Sequence, residues 1–198
     1  MAQTLEAPAP AVADAPRRMT VTEFDRIPDD AFGDDRVELI EGLIYTKMSQ
    51  NLPHITAIRL VIEALQAALG AGFSVSGQLP VGFGEVSKVE PDILALRGRA
   101  RDYDGRYPDP ATDIVLLVEV SDSSLLRDAG TKAELYARHG VPEYWIVNVP
   151  GRSVEVRREP RAEGYAETRV YREGESVAIG SGSVSVVDVL PKALPDAS

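Results

Sequence analysis

The stretch Ile114-Val115-Leu116-Leu117-Val118-Glu119-Val120 constrains the fold more than any other part of the chain. Six of its seven side chains are apolar and four are β-branched. A short continuous apolar run between polar loops is the pattern of a strand covered on both faces, as in the centre of an α/β sheet. The segments around it supply such a sheet with partners. Over 51–69, Ile55, Ile58, Ile62, Leu65 and Leu69 recur at steps of three and four, which predicts a helix with those residues on its buried face. Asn51 is placed to cap it, Pro53 fits its first turn and Gly70 ends it. A second helix is expected from Leu125 to His139, capped by Asp122 or Ser123 and stopped by Gly140. Strands are expected over 73–81, 89–96 and 143–149. Thr20 and Glu23 form a capping-box pair for a short helix to Ile27, and residues 36–45 read as a hairpin about Glu41-Gly42. Val154–Val156, Thr168–Arg172 and Val184–Leu190 are hairpin-like. The expected fold class is α/β: a core of helix, three strands, helix, strand, with flanking β-hairpins. It forms one domain over 19–192, between an Ala/Pro-rich disordered tail at 1–18 and a short tail at 193–198.

Composition removes several kinds of chemistry. The chain has no cysteine, so it has no disulfide, no thiolate metal site and no cysteine nucleophile, which fits a reducing cytoplasm. Two histidines, His54 and His139, are too few for a histidine-rich zinc centre. No apolar run approaches a membrane span, so no membrane partner is expected. A formal net charge of −10 weighs against tight nonspecific binding to nucleic acid, where lysine and arginine neutralise phosphates. Local basic surface remains available. Arg97, Arg99 and Arg101 alternate just after Asp92, and a phosphate contact is one reading of them. Arg157, Arg158, Arg161, Arg169 and Arg172 are interleaved with glutamates and read as solvated surface.

Two acids break otherwise apolar strands. Glu119 lies near the end of the central run, and Asp92 follows Pro91 at the start of another. A buried carboxylate needs a partner, a proton or a metal ion. Side by side in one sheet, the two fall near neighbouring strand ends and can converge. Converging carboxylates repel unless a cation lies between them. Mg²⁺ suits such a pair, because it takes oxygen ligands from one or two carboxylates and keeps waters. A nearby lysine would orient the attacking water and stabilise charge on a phosphoryl oxygen.

Pro91-Asp92, Glu119-Val120-Ser121 and Lys132 resemble the Asp…Glu-X-Lys site of the PD-(D/E)XK nuclease superfamily. The chain more narrowly resembles the bacterial Uma-type family of restriction endonucleases. The likeness spans about residues 19–190 and includes Arg36 to Gly42, His54 with its apolar helix, Asp128 through Lys132, Tyr136, and Gly140-Val141-Pro142-Glu143-Tyr144-Trp145. The resemblance implies a restriction-endonuclease-like core and a Mg²⁺-dependent endonuclease, with Mn²⁺ as substitute ion and DNA as substrate. It implies Asp92 and Glu119 as metal ligands and Lys132 as catalytic lysine. Glu38 is a weaker candidate for a further metal-ligating carboxylate. The position two after Glu119 is Ser121, so Lys132 must reach the site from the following helix.

Plainer readings stand beside these. Asp92 can bond local backbone. Glu119 can pair with Arg127 or Lys132. Lys132 can pair with Asp128 along the helix surface. Glu38 and His54 can be structural, and His54 is left out of the catalytic set. Ser121, Ser123 and Ser124 form a turn, with no partner base for a nucleophile. The alternative function is a catalytically silent module on the same scaffold, binding a protein partner or nucleic acid, with a homodimer as one form. A glycosidase is disfavoured, since 6% aromatic residues leave few sugar platforms.

Overall fold

The computed structural model describes residues 16–47, 50–122 and 124–192. Most of the expected N-terminal tail (1–15), the C-terminal tail (193–198) and the cap at Ser123 lie outside the described residues. The chain runs through α1 (Val21–Phe24), β1 (Val37–Ile40), β2 (Leu43–Thr46), α2 (Leu52–Leu69), β3 (Phe73–Gly77), β4 (Val81–Gly82), β5 (Lys88–Val89), β6 (Ile93–Arg97) and β7 (Ile114–Ser121). It continues with α3 (Leu125–Arg127), a π turn (Asp128–Lys132), α4 (Ala133–Arg138), β8 (Glu143–Asn148), β9 (Ser153–Arg161), β10 (Gly164–Arg172), β11 (Ser176–Ile179) and β12 (Gly182–Ser185).

Six strands form the main sheet in the order β10-β9-β8-β7-β6-β3. All neighbours are antiparallel except β7 and β8. A parallel pair requires a crossover, and α3 to α4 supplies it. The expected succession of helix, three strands, helix, strand is α2, β3, β6, β7, α3–α4, β8. The central run is covered on both faces, as its composition requires. Val118 and Val120 pack with Ala57, Val61 and Leu65 of α2, while Leu117 on the other face packs with Tyr136 of α4.

Two expected strands are each split. The 89–96 segment breaks at Glu90-Pro91-Asp92, where proline has no N–H for a ladder, and the 73–81 segment breaks after Gly77. The pieces between the breaks, β4 and β5, leave the main sheet and pair with the N-terminal hairpin in the order β2-β1-β5-β4. That hairpin turns on Glu41 and Gly42, both at positive φ (52° and 73°), the backbone that two-residue hairpin turns need. A Cβ at Gly42 would stand 2.5 Å from that of Arg18, so the small sheet is pinned against the entering chain.

Helix α2 is capped by Asn51 as expected, but its buried face is rotated. Ala57, Ile58, Val61, Leu65 and Leu69 are buried, whereas Ile55 is 40% exposed. The small Ala57 side chain lets the helix settle on the sheet along a line the larger residues alone do not mark. By length and composition α2, at 18 residues, passes as a membrane span, contrary to the expectation that no run comes near one. A core helix passes the same test, and here its apolar face packs on the sheet. The capping box of Thr20 and Glu23 is present, although α1 ends at Phe24. The expected strand over 184–190 becomes a 3-10 turn from Val186.

Candidate functional site

The break before β6 places Asp92. The β6–β7 ladder pairs Ile93 with Val118, and continuing that register by one residue sets Asp92 opposite Glu119. Asp92 Oδ2 accepts the Val120 backbone N–H at 2.9 Å. His54 Nε2, from the first turn of α2, stands 3.6 Å from the same oxygen, and Lys47 Nζ 3.8 Å from Oδ1. Asp92 is therefore not satisfied by backbone alone. Glu119 faces the α4 side of the sheet, where its Oε1 accepts from Lys132 Nζ at 2.9 Å and from the Tyr136 hydroxyl at 2.8 Å.

Lys132 reaches inward because the helix is widened where it sits. In the π turn the i to i+4 ladder is interrupted, and its carbonyls need other donors. The Tyr144 hydroxyl bonds Asp128 O at 3.1 Å, and Arg157 Nη1 bonds Ala129 O at 2.8 Å. The expected surface pairing of Asp128 with Lys132 is thus not what forms. Lys132 is 4% exposed and binds Glu119, with Glu38 Oε2 at 3.0 Å on its other side, while Asp128 accepts the Ser124 hydroxyl. Arg127, offered as a partner for Glu119, instead bonds Thr46 O.

Glu38 comes from β1. It is fully buried, accepts the Glu90 N–H at 3.0 Å, and has Lys47 Nζ 3.5 Å away as well as Lys132. With Asp92, Glu119, Asp128 and Lys132 it lines one small cleft of about 40 Å³, room for an ion or a water. Lys47, Arg127 and His54 line it too. Lys47 carries no signal in the sequence, being a lone lysine after a hairpin, and Tyr136 was legible only as part of a longer pattern. The first arginine group is elsewhere. Arg97 ends β6, five residues and about 16 Å along the strand from Asp92, with Arg99 and Arg101 beyond it.

Four carboxyl groups here face two ammonium groups. Burial, with Asp92 and Asp128 adding repulsion, pushes Glu119 up to about 8 despite Lys132. Burial also raises Asp128. Burial opposes ionisation of Asp92, but His54, Lys47 and the Val120 N–H hold it below the usual carboxylate range. Glu38 is likewise lowered, by Lys132 and Lys47 against burial. Burial pulls Lys132 down, and Glu119 and Glu38 more than offset it, so its ammonium stays charged. Among the described residues no three Asp, Glu, His or Cys side chains already surround one point as metal ligands. Two oxygen donors in an acid-rich cleft with room for an ion do fit Mg²⁺, which is held by one or two carboxylates. The buried His54 Nε2 has no hydrogen-bond partner and faces the same space.

Tyr136→Phe removes one of the two donors that hold Glu119. It is expected to destabilise the protein by about 1–2 kcal/mol, read as a lower urea midpoint with unchanged slope.

A model of the Uma2 family, described as "Putative restriction endonuclease", matches residues 21–183. No curated protein matches the chain. Among solved structures, the crystal structure of a putative nuclease of DUF820 from Anabaena variabilis superposes with a TM-score of 0.67 at 19% identity. The match covers 86% of this chain and 97% of that one. That likeness bears on the fold, which is the expected α/β restriction-endonuclease-like core.

Proposed function

The chain belongs to the Uma2 family, and on that premise we propose that it is a Mg²⁺-dependent endonuclease hydrolysing DNA phosphodiester bonds. The observation that carries this reading is the meeting of Asp92 and Glu119 in one cleft, with the Lys132 ammonium bound to Glu119. Asp92 and Glu119 would hold the ion, with Glu38 the weaker candidate because Lys132, Lys47 and the Glu90 N–H already engage it. A bound Mg²⁺, or Mn²⁺ in its place, supplies a Lewis acid and an activated water. Asp92 is held ionised and ready to ligate, and its bond to Val120 N–H fixes its direction. Lys132 stays protonated, which suits it to orient water and stabilise negative charge better than to act as a base. Tyr136 keeps Glu119 oriented from beneath.

The test is nicking of supercoiled plasmid across a Mg²⁺ titration, with EDTA as the blank. Nicking that rises with Mg²⁺ and stops on chelation supports the reading, and no cleavage at any concentration of Mg²⁺ or Mn²⁺ removes it. The proton on Glu119 makes a separate prediction. A carboxyl titrating at about 8 is largely protonated at pH 7, and a metal takes only the carboxylate. Ion binding at pH 7 is therefore expected to release about one proton, and affinity to rise as pH climbs toward 8. Calorimetry in buffers of different ionisation enthalpy measures that proton directly.

One observation favours a second reading. Lys132 and Lys47 already neutralise part of the acid cluster without any ion. A catalytically silent module that binds a protein or nucleic acid would need no more. Absence of any divalent-ion heat dependent on Asp92 and Glu119 would select it.

A further inference from the structure

The cleft carries two cations at its rim that the roles above leave without substrate. Arg127 lines the cleft from α3. Its Nη1 donates to Thr46 O at 3.3 Å, and its guanidinium lies 5.3 Å from the centre of the Tyr45 ring. Among the described residues it has no acid partner, whereas Arg106, Arg138, Arg152 and Arg158 each hold a carboxylate. A guanidinium offers five donors in one plane, so most of those on Arg127 are free, and the aromatic face of Tyr45 steadies that plane. Lys47 follows Thr46 directly. Its ammonium stands 3.8 Å from Asp92 Oδ1, and its side chain is 12% exposed against 4% for Lys132. Lys132 is held between two carboxylates deep in the cleft, while Lys47 sits on the open side.

Resting on the nuclease reading, we propose that Lys47 and Arg127 form the phosphate-binding pair of this site. Lys47 meets the phosphodiester beside Asp92, and Arg127 takes a neighbouring phosphate of the same strand. Chemistry and charge both favour this. A planar fork matches phosphate oxygens in pairs, and a compact ammonium serves a single anionic oxygen. A chain of net charge −10 also repels a polyanion overall, so contact with the backbone depends on local cations: Arg127, which no described carboxylate engages, and Lys47, whose acid neighbours stand no closer than 3.5 Å. Both come to the cleft along the β2 end of the N-terminal hairpin, which gives the small sheet a part in holding substrate.

The experiment is fluorescence anisotropy of a short fluorescein-labelled DNA duplex over a NaCl series, with Ca²⁺ replacing Mg²⁺ to hold back cleavage. Wild type is compared with Arg127→Gln, Lys47→Gln and, as a control, Arg59→Gln on the exposed side of α2. Each lost phosphate contact flattens the slope of log K against log salt by about 0.9. Arg127→Gln and Lys47→Gln are expected to show that change, and Arg59→Gln the wild-type slope. Lys47 lies beside buried carboxylates, so its substitution also costs stability, and Arg127→Gln, whose side chain holds one carbonyl, decides the matter. A wild-type slope in a folded Arg127→Gln protein overturns the pair and leaves the nuclease reading standing. Absence of DNA binding by wild type at every salt concentration removes both, and is a different result on the same instrument.

Discussion

Asp92→Asn is expected to reduce plasmid nicking by at least about 100-fold and to weaken Mg²⁺ binding in parallel, with little change in melting temperature. The substitution separates charge from shape. Asparagine keeps an oxygen that can accept the Val120 N–H, so the end of the β6–β7 ladder stays closed. It removes the anion that a hard cation needs, and with it about 3 kcal/mol or more of transition-state stabilisation, at 1.36 kcal/mol per tenfold. Lys47 loses one anionic neighbour but keeps Glu38 and the Glu90 carbonyl, which is why the fold should survive. Nicking assays and thermal melts on the same preparations read both halves. Equal cleavage by variant and wild type would sink the assignment of Asp92.

Lys132→Met should have the largest effect on stability, a loss of about 3–5 kcal/mol at about pH 8, because it leaves Glu119 without a cation as it ionises and Glu38 with Lys47 alone. Methionine fills similar volume, so the loss reflects charge more than a cavity. The pH dependence has a definite sign. Without Lys132 Glu119 titrates higher still in the folded chain, having stood at about 8 with the lysine present, and Glu38 loses the largest of the influences that hold it low. An acid with a raised folded-state value favours folding at low pH and loses that contribution as pH rises from its unfolded value through its folded one. Wild type keeps the lysine charged throughout, since its own value is raised. The stability gap between the two proteins should therefore be small near pH 5 and widest at pH 8. Adding Glu119→Gln to Lys132→Met should recover part of the loss, since the two residues are in contact and couple. A gap that does not change with pH would show that the lysine is not paired in solution.

Where local pattern and burial agreed, the sequence was readable. The central strand needed both faces covered and obtained them from α2 and α4. The cap at Asn51 and the turn at Glu41-Gly42 are chemistry local to a few residues, and both stand as expected. Glu119 was conspicuous because a carboxylate in an apolar run has few explanations. What stayed hidden depends on partners distant in the chain. Nothing near Pro91 says that β5 will pair with β1 in a second sheet. Nothing near Lys132 announces a π turn, whose freed carbonyls are answered by Tyr144 and Arg157 from other strands. Ile55 matched the helical spacing and still faces outward, because periodicity marks a stripe but not its width. Lys47 and His54 became visible as site residues only once the hairpin and the α2 cap were set around Asp92.

Glu38 and Lys132 are 94 positions apart, and each is buried against the other. During synthesis the first is made well before the second, at roughly 5–20 residues per second. For several seconds the nascent N-terminal hairpin carries an acid whose counter-charge does not yet exist, so it gains little by docking early. The cleft can close only after the ribosome has passed α4, and any fragment released before that point carries Glu38 without the lysine that meets it.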